Sequence, residues 1–97
     1  MTVGDMKGRK LELRIFLDSI DRLKRFDRVV NQPFYENYDI DIYITPNRSF
    51  DAKSFLAVCG LDTTNCVYVY INTYDRQVLD RFESDMKEFK YKIGDNK

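Results

Sequence analysis

The side chains of this sequence that could do chemistry are few, and imidazole is not among them: the chain contains no histidine. Asp18-Ser19-Ile20-Asp21 reads as a helix start, with Asp18 or Ser19 as N-cap and Asp21 in the first turn. A carboxylate there has two readings, an acyl-phosphate acceptor or a charge that suits the helix dipole. An acceptor would need further acidic groups to hold a metal, and no such cluster is apparent. Ser54, after Lys53, sits where a short helix begins. A phosphate on it would meet unpaired N–H groups and the positive end of the dipole, and an unmodified serine is an ordinary cap. Cys59 and Cys66 are too few to close a structural zinc site without histidine, and they are expected to be reduced, buried thiols.

Two further groups concern binding. Arg22, Lys24, Arg25 and Arg28 form a basic face alternating with Asp21 and Asp27, suited to an acidic partner or to solvent. Phe16, Tyr43, Tyr68 and Tyr70 fall on the outward side of predicted strands, where polar residues are the norm. They are expected either to stabilise cross-strand pairs or to form one patch for a protein partner or a second copy of the chain, rimmed by Asp39, Asp41 and Arg14. Base stacking is the weaker reading of this patch, because its surround is acidic rather than basic.

The elements that must position these groups follow from periodicity. Leu11, Leu13, Ile15 and Leu17 alternate with polar or outward residues and predict a first strand. Leu23, Phe26, Val29 and Val30 recur at helical spacing, and Asn31-Gln32-Pro33 ends that helix. Ile40, Ile42 and Ile44 predict a second strand, Thr45-Pro46-Asn47-Arg48 a turn, and residues 49–52 a third strand. Residues 54–61 predict a short helix ended by Gly60. Val67, Val69 and Ile71 mark a fourth strand. A final helix over residues 75–91 carries Val78, Leu79, Phe82, Met86 and Phe89, with Lys87, Lys90 and Lys92 at its negative pole.

The order is β-α-β-β-α-β-α, an α+β class chain. One antiparallel sheet with its helices on a single face satisfies every apolar face in two layers. Leu13, Ile15, Leu23, Phe26, Val30, Ile40, Ile42, Leu56, Val69, Ile71, Leu79, Phe82 and Met86 are the expected core. Residues 1–10 read as a mobile leader, 11–93 as the domain and 94–97 as a polar tail.

Composition bounds the function. Ninety-seven residues make one domain, and sixteen cationic side chains balance sixteen acidic ones. Zero net charge gives no electrostatic case for nucleic acid or an anionic membrane. No apolar run is long enough for a membrane span, and the first ten residues lack the apolar segment of a signal peptide, so a cytoplasmic location is expected. No nucleophile-and-base pairing and no glycine-rich phosphate loop is present, so an enzyme is not expected, and no cofactor or metal is implied.

The element order and several stretches between Leu11 and Phe89 resemble HPr, the histidine-containing phosphocarrier of the bacterial sugar phosphotransferase system. Residues 49–61, SFDAKSFLAVCGL, are similar to the family pattern V-N-L-K-S-I-M-G-V-M-S-L. Lys53-Ser54 matches its Lys-Ser, and Val58 and Leu61 match its apolar positions. Val67, Val69 and Ile71 then fall on its last strand. Val78-Leu79, Phe82 and Met86 fall on its last helix, after a loop three residues shorter. The resemblance implies a two-layer open-faced sandwich with strand order 1-4-2-3. It also implies partner docking on the first helix, and regulatory phosphorylation of the serine at Ser54 by a dedicated kinase, with a transcription regulator as partner.

The departure lies in the family's chemistry. Its motif G-I-H-A-R-P-A corresponds to residues 18–24, DSIDRLK. Asp21 stands at the histidine position, with Arg22 the other choice if a one-residue gap is allowed. A phosphorus–nitrogen bond to imidazole has no site here. The resemblance therefore implies a regulatory or partner-binding protein of the phosphotransferase type rather than a phosphocarrier. A self-associating structural module is the alternative.

Overall fold

Alternating side chains place the first strand, and side-chain caps start the α-helices. A computed structural model describes residues 11–62 and 66–91. The leader at 1–10, residues 63–65 of the loop before the fourth strand, Lys92 of the expected basic helix end, and the whole tail at 94–97 lie outside the described residues. Strands β1 (Glu12–Ile15), β2 (Ile40–Thr45), β3 (Arg48–Asp51) and β4 (Val67–Ile71) form one sheet in the order β1-β4-β2-β3, with all neighbours antiparallel. Helices α1 (Ile20–Val30), α2 (Phe55–Cys59) and α3 (Arg76–Met86) complete the expected architecture, and two 3-10 turns, Pro33–Tyr35 and Lys87–Phe89, are added to it.

Each helix starts on a side-chain acceptor. Ser19 caps α1 by accepting from the Arg22 amide, Ser54 caps α2 by accepting from Ala57, and Asp75 caps α3 by accepting from Gln77 and Val78. Asn31 caps the end of α1, and Gln32 separates it from Pro33. Gly60 ends α2 with a right-handed φ of −79°, so glycine's conformational freedom is not what stops the helix.

One apolar cluster joins the sheet to the helices. Leu13, Ile15, Ile40, Ile42, Val67, Val69 and Ile71 from the strands meet Phe26 and Val30 of α1, Val58 of α2, and Val78, Leu79, Phe82 and Met86 of α3. The expected core is found with two exceptions. Leu56 is 83% exposed. In a helix each residue turns about 100°, so Leu56 lies about 200° from Val58, and the inward face of so short a helix belongs to Val58. Leu23 is only partly buried against the cluster.

One side chain and one helix end differ from expectation for physical reasons. Ile44 was expected inward but is exposed, because the register between β2 and β3 shifts between Tyr43 and Thr45. The last helix was expected to run to Tyr91. Its α-helical part ends at Met86, and the Lys87–Phe89 3-10 turn continues the chain and buries Phe89.

Candidate functional site

The junction of β1 and α1 holds the two residues, Asp21 and Arg22, that the resemblance sets at the histidine position. Asp21 is exposed in the first turn of α1, the place a helix dipole favours for a carboxylate. Among the described residues no group of three or more His, Cys, Asp or Glu is placed to hold a metal ion. Arg22, the other residue at the histidine position, is turned inward. Its Nη1 donates to the Phe16 carbonyl at 3.0 Å and its Nη2 to the Glu88 carbonyl at 3.2 Å, and Asp18 lies 3.4 Å from it. Arg25 pairs with Glu88 at 2.9 Å. The Phe16 amide donates to the Phe89 carbonyl at 2.7 Å. The expected basic docking face is thereby divided. Arg22 and Arg25 clip α1 to the end of α3. Lys24 and Arg28 are exposed and form no ion pair among the described residues.

Helix α2 lies beside α1, tied by the Asn31 amide donating to the Lys53 carbonyl at 3.2 Å. Ser54 is half-buried, and its hydroxyl accepts the Ala57 amide at 3.3 Å. The Lys53 ammonium donates to the Tyr35 carbonyl at 2.6 Å, so the lysine of the Lys-Ser pair secures the segment before α2. Leu56 stands out from this helix. Both cysteines are unpaired thiols, and neither is buried as expected: Cys59 is exposed and Cys66 half-buried. Cys59 shares the outer side of α2 with Leu56.

The outward face of the sheet differs most from expectation. The register sets two rows across the strands: Glu12, Tyr70, Asp41 and Asp51 in one, and Arg14, Tyr68, Tyr43 and Ser49 in the next. Tyr43 stacks on Tyr68 with centroids 5.4 Å apart and meets Tyr70 at 6.3 Å. The three tyrosines are thus brought together, but Phe16 is not on this ladder, since it lies past the end of β1. Tyr43 and Tyr70 are 4% and 8% exposed, so the open apolar patch expected here is not found. Rings so covered have no free face for a base to stack on. The Tyr43 hydroxyl donates to Glu12 at 2.7 Å.

Asp41 sits in the middle of this face with the Asn72 amide donating to it at 2.9 Å. Burial, with Asp39 and Asp51 adding repulsion, raises its carboxyl above the usual value, while bonds from Asn72 and Tyr70 pull the other way. A carboxyl with a raised folded-state pKa penalises folding above that pKa. The penalty fades as pH falls toward the unfolded value of about 3.9. Asp41→Asn keeps an acceptor for Asn72 and is expected to be more stable than wild type at pH 7, with the gap closing below about pH 4. Thermal melts across that range check the sign.

Sequence reasoning missed Tyr35. This fully buried ring packs edge-on against Phe34 and Phe82, and its hydroxyl donates to Asp85 at 2.7 Å. Arg81 binds the same Asp85 oxygen at 3.1 Å, reaches Gln32 at 3.0 Å and lies over the Phe34 ring. The cluster is a brace between the Pro33–Tyr35 turn and α3. No protein family, curated protein or solved structure matches this chain.

Proposed function

We infer that this chain is an HPr-like binding module of the bacterial sugar phosphotransferase type that works through protein partners and carries no phosphate on an imidazole. The observation that carries this reading is Leu56. Leu56 is 83% exposed and stands on the outer side of α2, two residues after the half-buried Ser54, where it offers an apolar contact beside the serine that the resemblance marks for modification. Lys24 and Arg28, on the neighbouring helix, supply cations to orient an acidic partner. The β1-β4-β2-β3 order agrees with the resemblance, an analogy at the level of fold. A phosphotransferase-system protein or a transcription regulator fits as the partner. The cytoplasm fits as the location; among the described residues no helix is long and apolar enough to cross a membrane.

The test uses the purified chain with enzyme I, phosphoenolpyruvate and an HPr-type serine kinase. No stable phosphate is expected from enzyme I, because no histidine is present. A labelled chain whose label is lost in Asp21→Asn would restore an acyl-phosphate carrier. The kinase is expected to modify Ser54, and phosphopeptide mapping reads the site. Leu56→Asp is expected to weaken association with the kinase about tenfold, equivalent to about 1.4 kcal/mol. Modification elsewhere, or equal binding by both forms, removes the regulatory reading.

A further inference from the structure

Strand β3 is an outer edge of the sheet, and Arg48, Ser49 and Asp51 on it are exposed. Its backbone bonds can be followed from its end, where the Ala52 amide donates to the Ile40 carbonyl at 2.8 Å. Bonded and non-bonded pairs alternate along an antiparallel ladder. Phe50 therefore bonds to Ile42, whereas Ser49 and Asp51, opposite Tyr43 and Asp41, turn their N–H and C=O groups away from β2. The Asp51 carbonyl accepts from the Ser54 amide at 3.1 Å, so that acceptor is already used. Among the described residues no loop or side-chain group bonds to the Ser49 backbone. An edge strand with open backbone groups is a template for a further strand, and β3 contains neither the lysine nor the proline that often blunts such an edge. At the opposite edge, the chain leaving β1 is engaged, since the Phe16 amide donates to the Phe89 carbonyl.

The helix-side face of this edge is open as well. Phe50, opposite the core residue Ile42, is only half-buried, and Ile44 is 36% exposed. Helix α2 ends at Cys59, and Gly60 and Leu61 form one wall of a groove of about 210 Å³ whose other wall is Ile44, Arg48 and Phe50. The Arg48 guanidinium lies 5.5 Å from the Phe50 ring centroid and forms no ion pair among the described residues. The strand is complementary to itself. Set antiparallel to a second copy about a two-fold axis at Ser49, it places Ser49 opposite Ser49 and Arg48 opposite Phe50 of the second copy, each on the face it already occupies. The two Ser49 backbones then exchange their outward bonds, and each Arg48 covers the open flank of the other copy's Phe50. No like charges fall opposite one another. An axis at Phe50 would set Ser49 against Asp51, whose carbonyl is engaged by Ser54. A formal net charge of zero adds no long-range repulsion between copies.

We propose that two copies of this chain associate through β3, edge to edge and antiparallel, with the two-fold axis at Ser49 and Arg48 of each copy set against Phe50 of the other. The two sheets become one continuous sheet, with β1 left as the edge at either end. The contact is short, so the dimer is a weak one that forms at high protein concentration. It goes beyond the partner face on α1 and α2 and does not rest on it.

The test keeps the full chain. Sedimentation equilibrium up to about 1 mM is expected to show a monomer–dimer equilibrium. Ser49→Pro removes the outward N–H, a change that an edge strand tolerates where that group faces solvent. It is expected to weaken the dimer at least about tenfold through loss of the two reciprocal bonds, with circular dichroism confirming the fold. Cross-linking reads the register. In a Cys59→Ser/Cys66→Ser background, Ser49→Cys is expected to form a disulfide dimer on mild oxidation, because a hydrogen-bonded antiparallel pair has Cα atoms about 5.5 Å apart. Asp51→Cys in the same background is expected not to, since its two copies would lie about 13 Å apart along the strands. A wild type that stays monomeric at about 1 mM overturns the proposal. A folded Ser49→Pro that dimerises as well as wild type also overturns it, because another surface would then hold the copies together. So does a Ser49→Cys chain that fails to cross-link, or one that cross-links no better than Asp51→Cys. Should Ser49→Pro not fold, the cross-linking comparison decides alone.

Discussion

Replacing Tyr35 with alanine is expected to cost about 3–5 kcal/mol of folding stability, the range for removing a large buried aromatic ring. A domain of this size has about 5–15 kcal/mol in total, so the variant would stand near the edge of folding. The ring is fully buried between Phe34 and Phe82, and its removal leaves a cavity where the Pro33–Tyr35 turn meets α3. The hydroxyl adds a separate term. Tyr35→Phe keeps the ring contacts and removes the bond to Asp85, which is charge-assisted and worth about 1.5–3 kcal/mol. Denaturant midpoints with an unchanged slope would read both costs.

The same tyrosine carries a signature in alkali. Burial and the Asp85 carboxylate push its hydroxyl far above the usual value. The folded chain then holds the phenolic proton at a pH where the unfolded chain releases it. Stability from this group is complete below the unfolded value of about 10 and falls as pH rises past it. Tyr35→Phe should show a shallower alkaline loss than wild type. An identical alkaline slope would mean that the hydroxyl is not held by Asp85.

These residues mark where sequence reading succeeds and where it stops. Strict alternation over Val67, Val69 and Ile71 places β4 and its inward face, because a strand has only two sides. The stripe of Val78, Leu79, Phe82 and Met86 places α3 for the same kind of reason. Tyr35 sits in Pro33-Phe34-Tyr35-Glu36, too short and irregular for any period, so its burial is decided by what α3 brings against it. Ile44 and Leu56 obey the local pattern yet end up exposed, one through a shift in strand register and one because a five-residue helix has a single inward position. Tyr43 and Tyr70 point to the side that alternation assigns them. Direction is a property of the strand, whereas exposure depends on what lies against the face, and that information is not local. The candidate site behaves likewise. Helix caps at Ser19 and Ser54 are legible from residue type, but the division of the basic face is not, since Arg22 and Arg25 are claimed by Glu88, more than sixty positions away.

That division sets the second large effect. Arg22→Ala is expected to destabilise the fold by about 1.5–3 kcal/mol, the usual worth of hydrogen bonds made by a charged group. The guanidinium bridges two carbonyls, Phe16 and Glu88, beside the Phe16–Phe89 backbone bond and the Arg25–Glu88 pair that join the same segments. Its side chain is only 11% exposed, so solvent replaces it poorly. Arg22→Lys should recover little of the loss, because a single ammonium does not reproduce the planar fork that spans both oxygens. Arg25→Ala removes an exposed pair with Glu88 and should cost no more than about 1 kcal/mol. Amide exchange at Phe16, which donates to Phe89, should accelerate in Arg22→Ala and much less in Arg25→Ala. The contrast also bears on function. A partner that reads the basic face of α1 has Lys24 and Arg28 available and not Arg22, whose donors are already used. Lys24→Glu/Arg28→Glu should therefore weaken partner association without moving the melting temperature by more than a surface change does, while Arg22→Ala moves stability first. Equal melting temperatures for Arg22→Ala and wild type would show that the clip between the β1–α1 junction and the end of α3 contributes nothing, and would return Arg22 to the docking face.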